Sequence, residues 1–249
     1  MKHFPKKAMI LAAGLGERLR PLTLKTPKPL IPVAGHPLML YNLMLLQQAG
    51  VEEVMINLFH LGDQIRNFFQ DGKQWGLRIH YSEEETILGT GGGLKKVESF
   101  FDAGTFCVMN GDVLVDLSLP ALWQRHQETQ ALATLAISPT LREDVQNYVF
   151  ANSRNQILEI GPQCSQADQK GIFTGVHLLE PEVLKKLPKN FKSCIIQDAY
   201  RPLIHEGKTL SAFSFSGYFR DVGTFERYDQ VQKELSKDWP FQHLKPEEF

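Results

Sequence analysis

The chain has 249 residues, 43% apolar and 22% charged, values that exclude a disordered tail or low-complexity fibre and leave a globular protein. Its 27 Lys+Arg against 28 Asp+Glu give a net charge of −1, which excludes a broad nucleic-acid surface. The three cysteines, Cys107, Cys164 and Cys194, form no CxxC pair, so neither a disulfide framework nor a zinc site is expected, and a reducing, cytoplasmic setting fits.

The N-terminal "MKHFPKK" leads straight into a strand and a glycine loop, not into a signal-peptide cleavage region. Ala8–Ala12 is a short apolar run and predicts a strand buried on both faces. Pro37 and Gly50 bracket a helix over "LMLYNLMLLQQA"; Asn42 interrupts it, and no apolar run approaches the ~18 residues of a membrane span. Strands follow at Glu53–Asn57, Leu77–Tyr81, Phe106–Met109 and Ala133–Ile137, with helices at Gly62–Phe69, Leu94–Phe101 and Leu119–Thr129 between them. Strand and helix in alternation predict an α/β fold, Rossmann-like, with a mixed, mainly parallel sheet and helices on both faces. Tyr148–Ala151, Gln156–Ile160 and Ile172–His177 then read as antiparallel additions. Helical patterns at Pro181–Leu187 and Gln197–Glu206, a strand at Thr209–Phe215 and a helix at Thr224–Leu235 complete the set. The tail from Ser236 has no period.

The first strand runs into "LAAGLGERLRPLTLKTPKPLIPVAG" (Leu11–Gly35). Gly14 and Gly16 allow close backbone approach to a ligand, and ligands of open α/β sheets bind beyond the carboxyl ends of strands. Arg18, Arg20, Lys25 and Lys28 follow, with Glu17 the sole acid from Gly14 to Gly50. Amides plus local positive charge suit a polyphosphate. A dinucleotide loop fails, because Leu19 replaces the third Gly and the second strand closes on Asn57 where an acid is needed. A P-loop fails too, since Gly-x-x-x-x-Gly-Lys-Ser/Thr does not occur.

This long segment resembles the signature of the sugar-1-phosphate nucleotidylyltransferases. The resemblance continues through "GTGGG" (Gly89–Gly93), "NGD" (Asn110–Asp112) and "RDVGT" (Arg220–Thr224), and so spans nearly the whole chain. It implies one domain over residues 1–249: a nucleotide-binding part at roughly 1–137, a sugar-phosphate part at 138–235 and a tail at 236–249. The expected length leaves no room for an appended β-helix or regulatory domain. The implied substrates are a nucleoside triphosphate and a sugar 1-phosphate, the implied cofactor is Mg²⁺, and the implied state is a monomer or small homo-oligomer with no nucleic-acid or membrane partner. The implied setting is cytoplasmic supply of nucleotide sugars to the cell envelope.

By the same resemblance, Arg18 assists the departing pyrophosphate and Lys28 reaches between the phosphates of the two substrates. Leu11, Ala13, Gly14 and Gly16 contact the nucleotide by backbone, and Gly89 and Thr90 pack against the base. Asp112 and Asp221 hold the Mg²⁺, while Asn110, Glu159 and Gly175 lie at the sugar phosphate. Glu83–Glu85 reads either as a base or ribose selector or as a solvated acidic face. Asp198 reads either as a sugar-hydroxyl ligand or as a helix-surface residue. The histidines have no metal-ligand spacing. One departure stands out: many relatives carry Glu-Lys-Pro where this chain has "LEIGPQ" (Leu158–Gln163), so Glu159 is retained and the lysine is not. Lys170 replaces it only if its loop folds back.

UTP or GTP is favoured over dTTP, on likeness to compact members acting on muramate or mannose phosphates. Two alternatives remain open at this stage. One is a cytidylyltransferase acting on phosphocholine or a similar phosphorylated alcohol, which shares the N-terminal motif. The other is a non-catalytic nucleotide-binding homologue, against which stands the pair of aspartates.

Overall fold

The computed structural model describes residues 3–142, 145 and 147–244 of the chain. The first strands and helices are β1 (Lys7–Leu11), β2 (Pro32–Val33), β3 (His36–Pro37), α1 (Leu38–Gln48), β4 (Glu53–Leu58), α2 (Gly62–Phe69) and β5 (Arg78–Glu83). Next come α3 (Gly89–Lys96), β6 (Phe106–Asn110), β7 (Val113–Val115), α4 (Leu119–Thr129) and β8 (Ala133–Ser138). The remainder is β9 (Tyr148–Ala151), β10 (Ile157–Gly161), β11 (Gln169–Leu179), α5 (Arg201–His205), β12 (Leu210–Ser214), β13 (Phe219–Asp221) and α6 (Phe225–Lys237). The fold is α/β, a mixed and mainly parallel sheet with helices, as the alternation predicts.

Two compact units share the chain, one built from Met1–Ile87, Met109–Leu119 and Gly217–Phe249, the other from Leu88–Val108 and Pro120–Ser216. The expected consecutive parts at 1–137 and 138–235 do not coincide with these discontinuous units. Strand pairing decides the difference: β7 and β13, about a hundred residues apart in sequence, form one antiparallel ladder in the first unit.

In the first unit β1 pairs in parallel with β4, and β4 with β5. Ala8, Met9 and Ile10 are fully buried, which is why this strand reads as a continuous apolar run. Helix α1 buries eight of its side chains, from Leu38 to Leu46, and is apolar nearly all round for the same reason. Asn42 is its buried polar member and donates from Nδ2 to the carbonyl of Asn110 at 3.1 Å. The aperiodic tail is packed here rather than loose. Trp239 and Phe241 contact Tyr41 at ring separations of 6.1 and 5.5 Å, and buried Asp116 accepts the amides of Gln242 and His243, each at 2.8 Å. Residues 245–249 of the predicted tail lie outside the described residues.

In the second unit β8 pairs in parallel with β12 and antiparallel with β11, while β9 joins β10 to the start of β11. The predicted strand at Ile172–His177 is longer than expected, and its register shifts between Phe173 and His177, where Gly175 takes φ +83°. A bulge of this kind needs a left-handed residue, and glycine supplies it without strain. The helix expected at Leu94–Phe101 begins earlier, at Gly89, and ends at Lys96, with a separate 3-10 turn at Glu98–Phe101. Pro181–Lys186 is a 3-10 turn, and the helix expected over Gln197–Glu206 splits into a π-helical turn at Ile196–Tyr200 followed by α5. Among the described residues no helix is long and apolar enough to cross a membrane.

Candidate active site

The glycine loop leaves β1 at Leu11 and is fixed there by two contacts. The amide of Gly111 donates to the Leu11 carbonyl at 2.9 Å, and a Cβ on Gly111 would lie 3.0 Å from that same oxygen. The glycine of "NGD" is therefore what lets this segment cross the end of β1. The amide of Ala12 donates to Asn57 Oδ1 at 2.7 Å, and Asn57 Nδ2 donates to Glu84 Oε1 at 2.7 Å. Asn57 and Glu84 are both buried. Asn57, noted in the sequence only for not being an acid, is thus the anchor of the loop. Of the acidic triplet, Glu84 turns inward to hold that anchor and Glu83 pairs with Arg66 at the surface.

Beyond Ala12 the loop divides into an open part and a closed part. Ala13 is buried, whereas Gly14 is exposed and a Cβ there would meet nothing within 4 Å. Gly16 sits at φ +63°, and its Cβ would lie 2.7 Å from Thr23 Cγ2; Thr23 Oγ1 donates to the Gly16 carbonyl at 2.8 Å. The missing side chain at Gly16 therefore serves the loop's own closure. Buried Leu19 pins the turn that carries exposed Arg18.

Lys28 and Asp112, 84 residues apart, meet at 2.5 Å between Nζ and Oδ2. The lysine side chain is 10% exposed and the carboxylate 39%, so the cation is held inside and the acid faces outward. Asp112 follows β6, and the carbonyl of Asp112 accepts the amide of Val222 at 2.9 Å. In the β7–β13 ladder Asp221 stands opposite Val113. The two aspartates expected at the metal are therefore neighbours across one antiparallel pair. Asp221 forms an ion pair with Arg227. The point a Cβ would occupy on Gly223 lies 2.8 Å from Asp221 Oδ1, 3.2 Å from Arg227 Nη1 and 3.4 Å from Arg18 Nη2. Arg18, Lys28, Asp112 and Asp221 are thus gathered within the first unit, together with Arg227, which the motif reading did not single out. Asn110 is fixed beside them through its carbonyl on Asn42.

Among the described residues no group of three or more His, Cys, Asp and Glu is placed to hold a metal ion. Magnesium takes few protein carboxylates and leaves its other positions to water and phosphate oxygens, so the donor chemistry of Asp112 and Asp221 fits it.

In the second unit the "GTGGG" glycines open α3 and pack against residues 187–195. Gly91 donates its amide to the Ser193 carbonyl at 2.9 Å, and Thr90 Oγ1 accepts the amide of Ile195 at 3.0 Å. Gly89 has φ +71°, and its Cβ would fall 2.5 Å from the Ser193 carbonyl. These glycines are close-packing positions. Glu159, Phe150 and Lys170 stand in one row across β10, β9 and β11 and, with residues 162–169, line an open cleft of about 900 Å³. Lys170 lies over the Tyr148 ring at 5.3 Å. Asp198 accepts the amide of Cys194 at 2.7 Å.

The nucleotidyl transferase family model matches residues 7–238. The chain belongs to this family. It is 36% identical over 240 residues to a UTP–glucose-1-phosphate uridylyltransferase of Synechocystis, covering 90% of this chain and 62% of that protein. It is 30% identical over 229 residues to a mannose-1-phosphate guanylyltransferase of Mycobacterium tuberculosis, covering 92% and 64%. Over 119 residues it is 49% identical to an N-acetylmuramate alpha-1-phosphate uridylyltransferase of Neisseria meningitidis, covering 47% and 52%. The chain thus spans about half to two-thirds of the length of these relatives. A solved UDP-glucose pyrophosphorylase, complexed with UDP-glucose, shares the fold with a TM-score of 0.77 at 22% identity, over 93% of this chain and 98% of its own.

Proposed function

We propose that this nucleotidyl transferase moves a nucleotidyl group from a nucleoside triphosphate to a sugar 1-phosphate, forming a nucleoside-diphosphate sugar and pyrophosphate. A phosphate oxygen of the sugar phosphate bonds to the α-phosphorus as the bond to the β-phosphate oxygen breaks, and the electron pair leaves with pyrophosphate. The nucleophile is ionised at neutral pH, so no general base is needed. Repulsion between two anions and their alignment are the obstacles.

The observation that carries this reading is the largely enclosed Lys28 ammonium at 2.5 Å from Asp112, beside the β7–β13 ladder that bears Asp221 and the turn that bears Arg18. Fixed cations of this kind act where charge develops, and alignment alone supplies up to ~7–11 kcal/mol. Lys28 would lie between the reacting phosphates and Arg18 on the departing pyrophosphate. The open side of Gly14 leaves room for the nucleotide against the backbone of Leu11, Ala13 and Gly14. Gly16 closes that loop, and Gly89 and Thr90 shape the base-facing loop. Asn110, Glu159 and Gly175 would lie toward the sugar phosphate. Asp112 and Asp221 would hold Mg²⁺, which supplies charge neutralisation to the phosphate chain when bound.

UTP or GTP is the donor in this reading, supported by the uridylyl and guanylyl transfer named for the relatives at 36% and 30% identity. The three free cysteines fit a cytoplasmic setting, from which the nucleotide sugar would supply the cell envelope. Pyrophosphate release with Mg²⁺, measured for UTP, GTP, dTTP and CTP against glucose, mannose and N-acetylmuramate 1-phosphates and phosphocholine, tests the proposal. Turnover confined to a sugar 1-phosphate with UTP or GTP is expected. Turnover confined to phosphocholine with CTP would replace it, and none with any pair would leave a nucleotide-binding homologue.

A further inference from the structure

Arg227 is the third residue of α6, whose start is capped by Thr224 Oγ1 accepting the Arg227 amide at 3.4 Å. From there its side chain returns across the Asp221–Gly223 turn to pair with Asp221. Arg220, on the same segment, is committed elsewhere, to Glu234 at 2.9 Å. The point a Cβ would occupy on Gly223 lies within 3.4 Å of both the Arg227 and the Arg18 guanidinium, and 2.8 Å from the Asp221 carboxylate. Like charges this close repel, and a single carboxylate offsets only one of them. The arrangement also has a counterpart: Asp112 is held by Lys28 as Asp221 is held by Arg227.

We infer that Arg227 is a second guanidinium of the phosphate site, neutralising Asp221 while no divalent cation is bound and turning to phosphate oxygens once the cation takes that carboxylate. A doubly charged ion outcompetes a guanidinium for the carboxylate and repels it, and the planar fork released is matched to phosphate. The alternative is a helix-start ion pair whose removal alters stability alone. The inference rests on the nucleotidyl-transfer reading, and its test uses binding without turnover so that the two can fail separately.

On the whole chain, Mn²⁺ affinity is measured from the paramagnetic signal of the free ion, and inorganic tripolyphosphate affinity by calorimetry in saturating Mg²⁺. Arg227→Gln is expected to bind Mn²⁺ about 3–10-fold tighter and tripolyphosphate about tenfold weaker than the parent. Arg227→Lys, which keeps the charge and loses the fork, is expected to stay within about threefold of the parent for Mn²⁺ and to bind tripolyphosphate more weakly. Arg227→Met, also uncharged, carries the Mn²⁺ comparison if the glutamine variant does not fold. Unchanged or weaker Mn²⁺ binding in the folded uncharged variant overturns the inference and leaves the transfer reading standing. A parent chain that binds neither probe overturns both.

Discussion

The carbonyl of Asp112 accepts the amide of Val222 at 2.9 Å, so the strand end that bears one aspartate is stitched to the turn that bears the other. The ladder therefore sets the spacing of the two aspartates' backbones. In the proposed transfer, whose barrier fixed charges rather than proton transfer would lower, such rigidity would matter.

Asp112→Asn keeps the size of the side chain and an oxygen for Lys28 but removes the negative charge. Turnover is expected to fall by about 10²–10³-fold or more, the scale for losing one aligned electrostatic group. Triphosphate affinity is expected to weaken less than tenfold, because the cations and the loop remain. Steady-state kinetics beside calorimetric nucleotide binding checks the split. Activity like the parent's would remove Asp112 from the mechanism.

Gly91→Ala tests the close packing of the second glycine cluster. The new methyl would meet Ser193 Oγ at 2.6 Å, Leu187 Cδ2 at 2.8 Å and the Ile195 amide nitrogen at 3.2 Å. Overpacking of this kind costs about 1–3 kcal/mol. Thermal or urea unfolding is expected to register that loss; a variant as stable as the parent would mean that residues 187–195 yield freely.

Asp116→Ala removes a buried carboxylate that accepts the Gln242 and His243 amides. Hydrogen bonds to a charged acceptor contribute about 1.5–3 kcal/mol. The variant is expected to lose stability on that scale and to expose Trp239 and Phe241. Limited proteolysis reads this directly, with cleavage after residue 237 faster than in the parent.

What was legible in the sequence is what local chemistry writes. The apolar run of β1, the Pro37–Gly50 bracket of α1 and the amphipathic Gly62–Phe69 of α2 appear within a residue or two of their predicted bounds, because each is marked by its own residues: an apolar run, a pair of flanking breakers and an apolar face. Contacts between distant residues were not legible. Asn57 anchors Ala12 from 45 residues away, and Asp116 holds Gln242 from 126 away. Arg227 gives no signal until the turn at Gly223 shows where its guanidinium goes. The close packing of the "GTGGG" glycines is not written locally, because the bulk that excludes a Cβ comes from residues 187–195, far along the chain. The tail lacked period because three aromatic rings and a carboxylate, rather than a helical or strand face, hold it.

The acid limb of the stability curve offers a last test, at His177. This side chain is fully enclosed beside Tyr200, to whose hydroxyl its Nδ1 is hydrogen-bonded, and burial pushes its pKa down from 6.5 to about 3. The folded protein therefore keeps His177 neutral while the unfolded chain takes up a proton below about pH 6.5. Stability from this group is fully present above pH 6.5 and is lost as pH falls toward 3, by about 1.4 kcal/mol per pH unit. In His177→Gln, which has no proton to take up, the slope of unfolding free energy between pH 6 and 4 is expected to be shallower by about that amount, even if the variant is less stable at pH 7. Urea titrations at half-unit steps measure it. Equal slopes in the two proteins would mean that His177 is protonated in the fold, and that the enclosure around Tyr200 opens to water in acid.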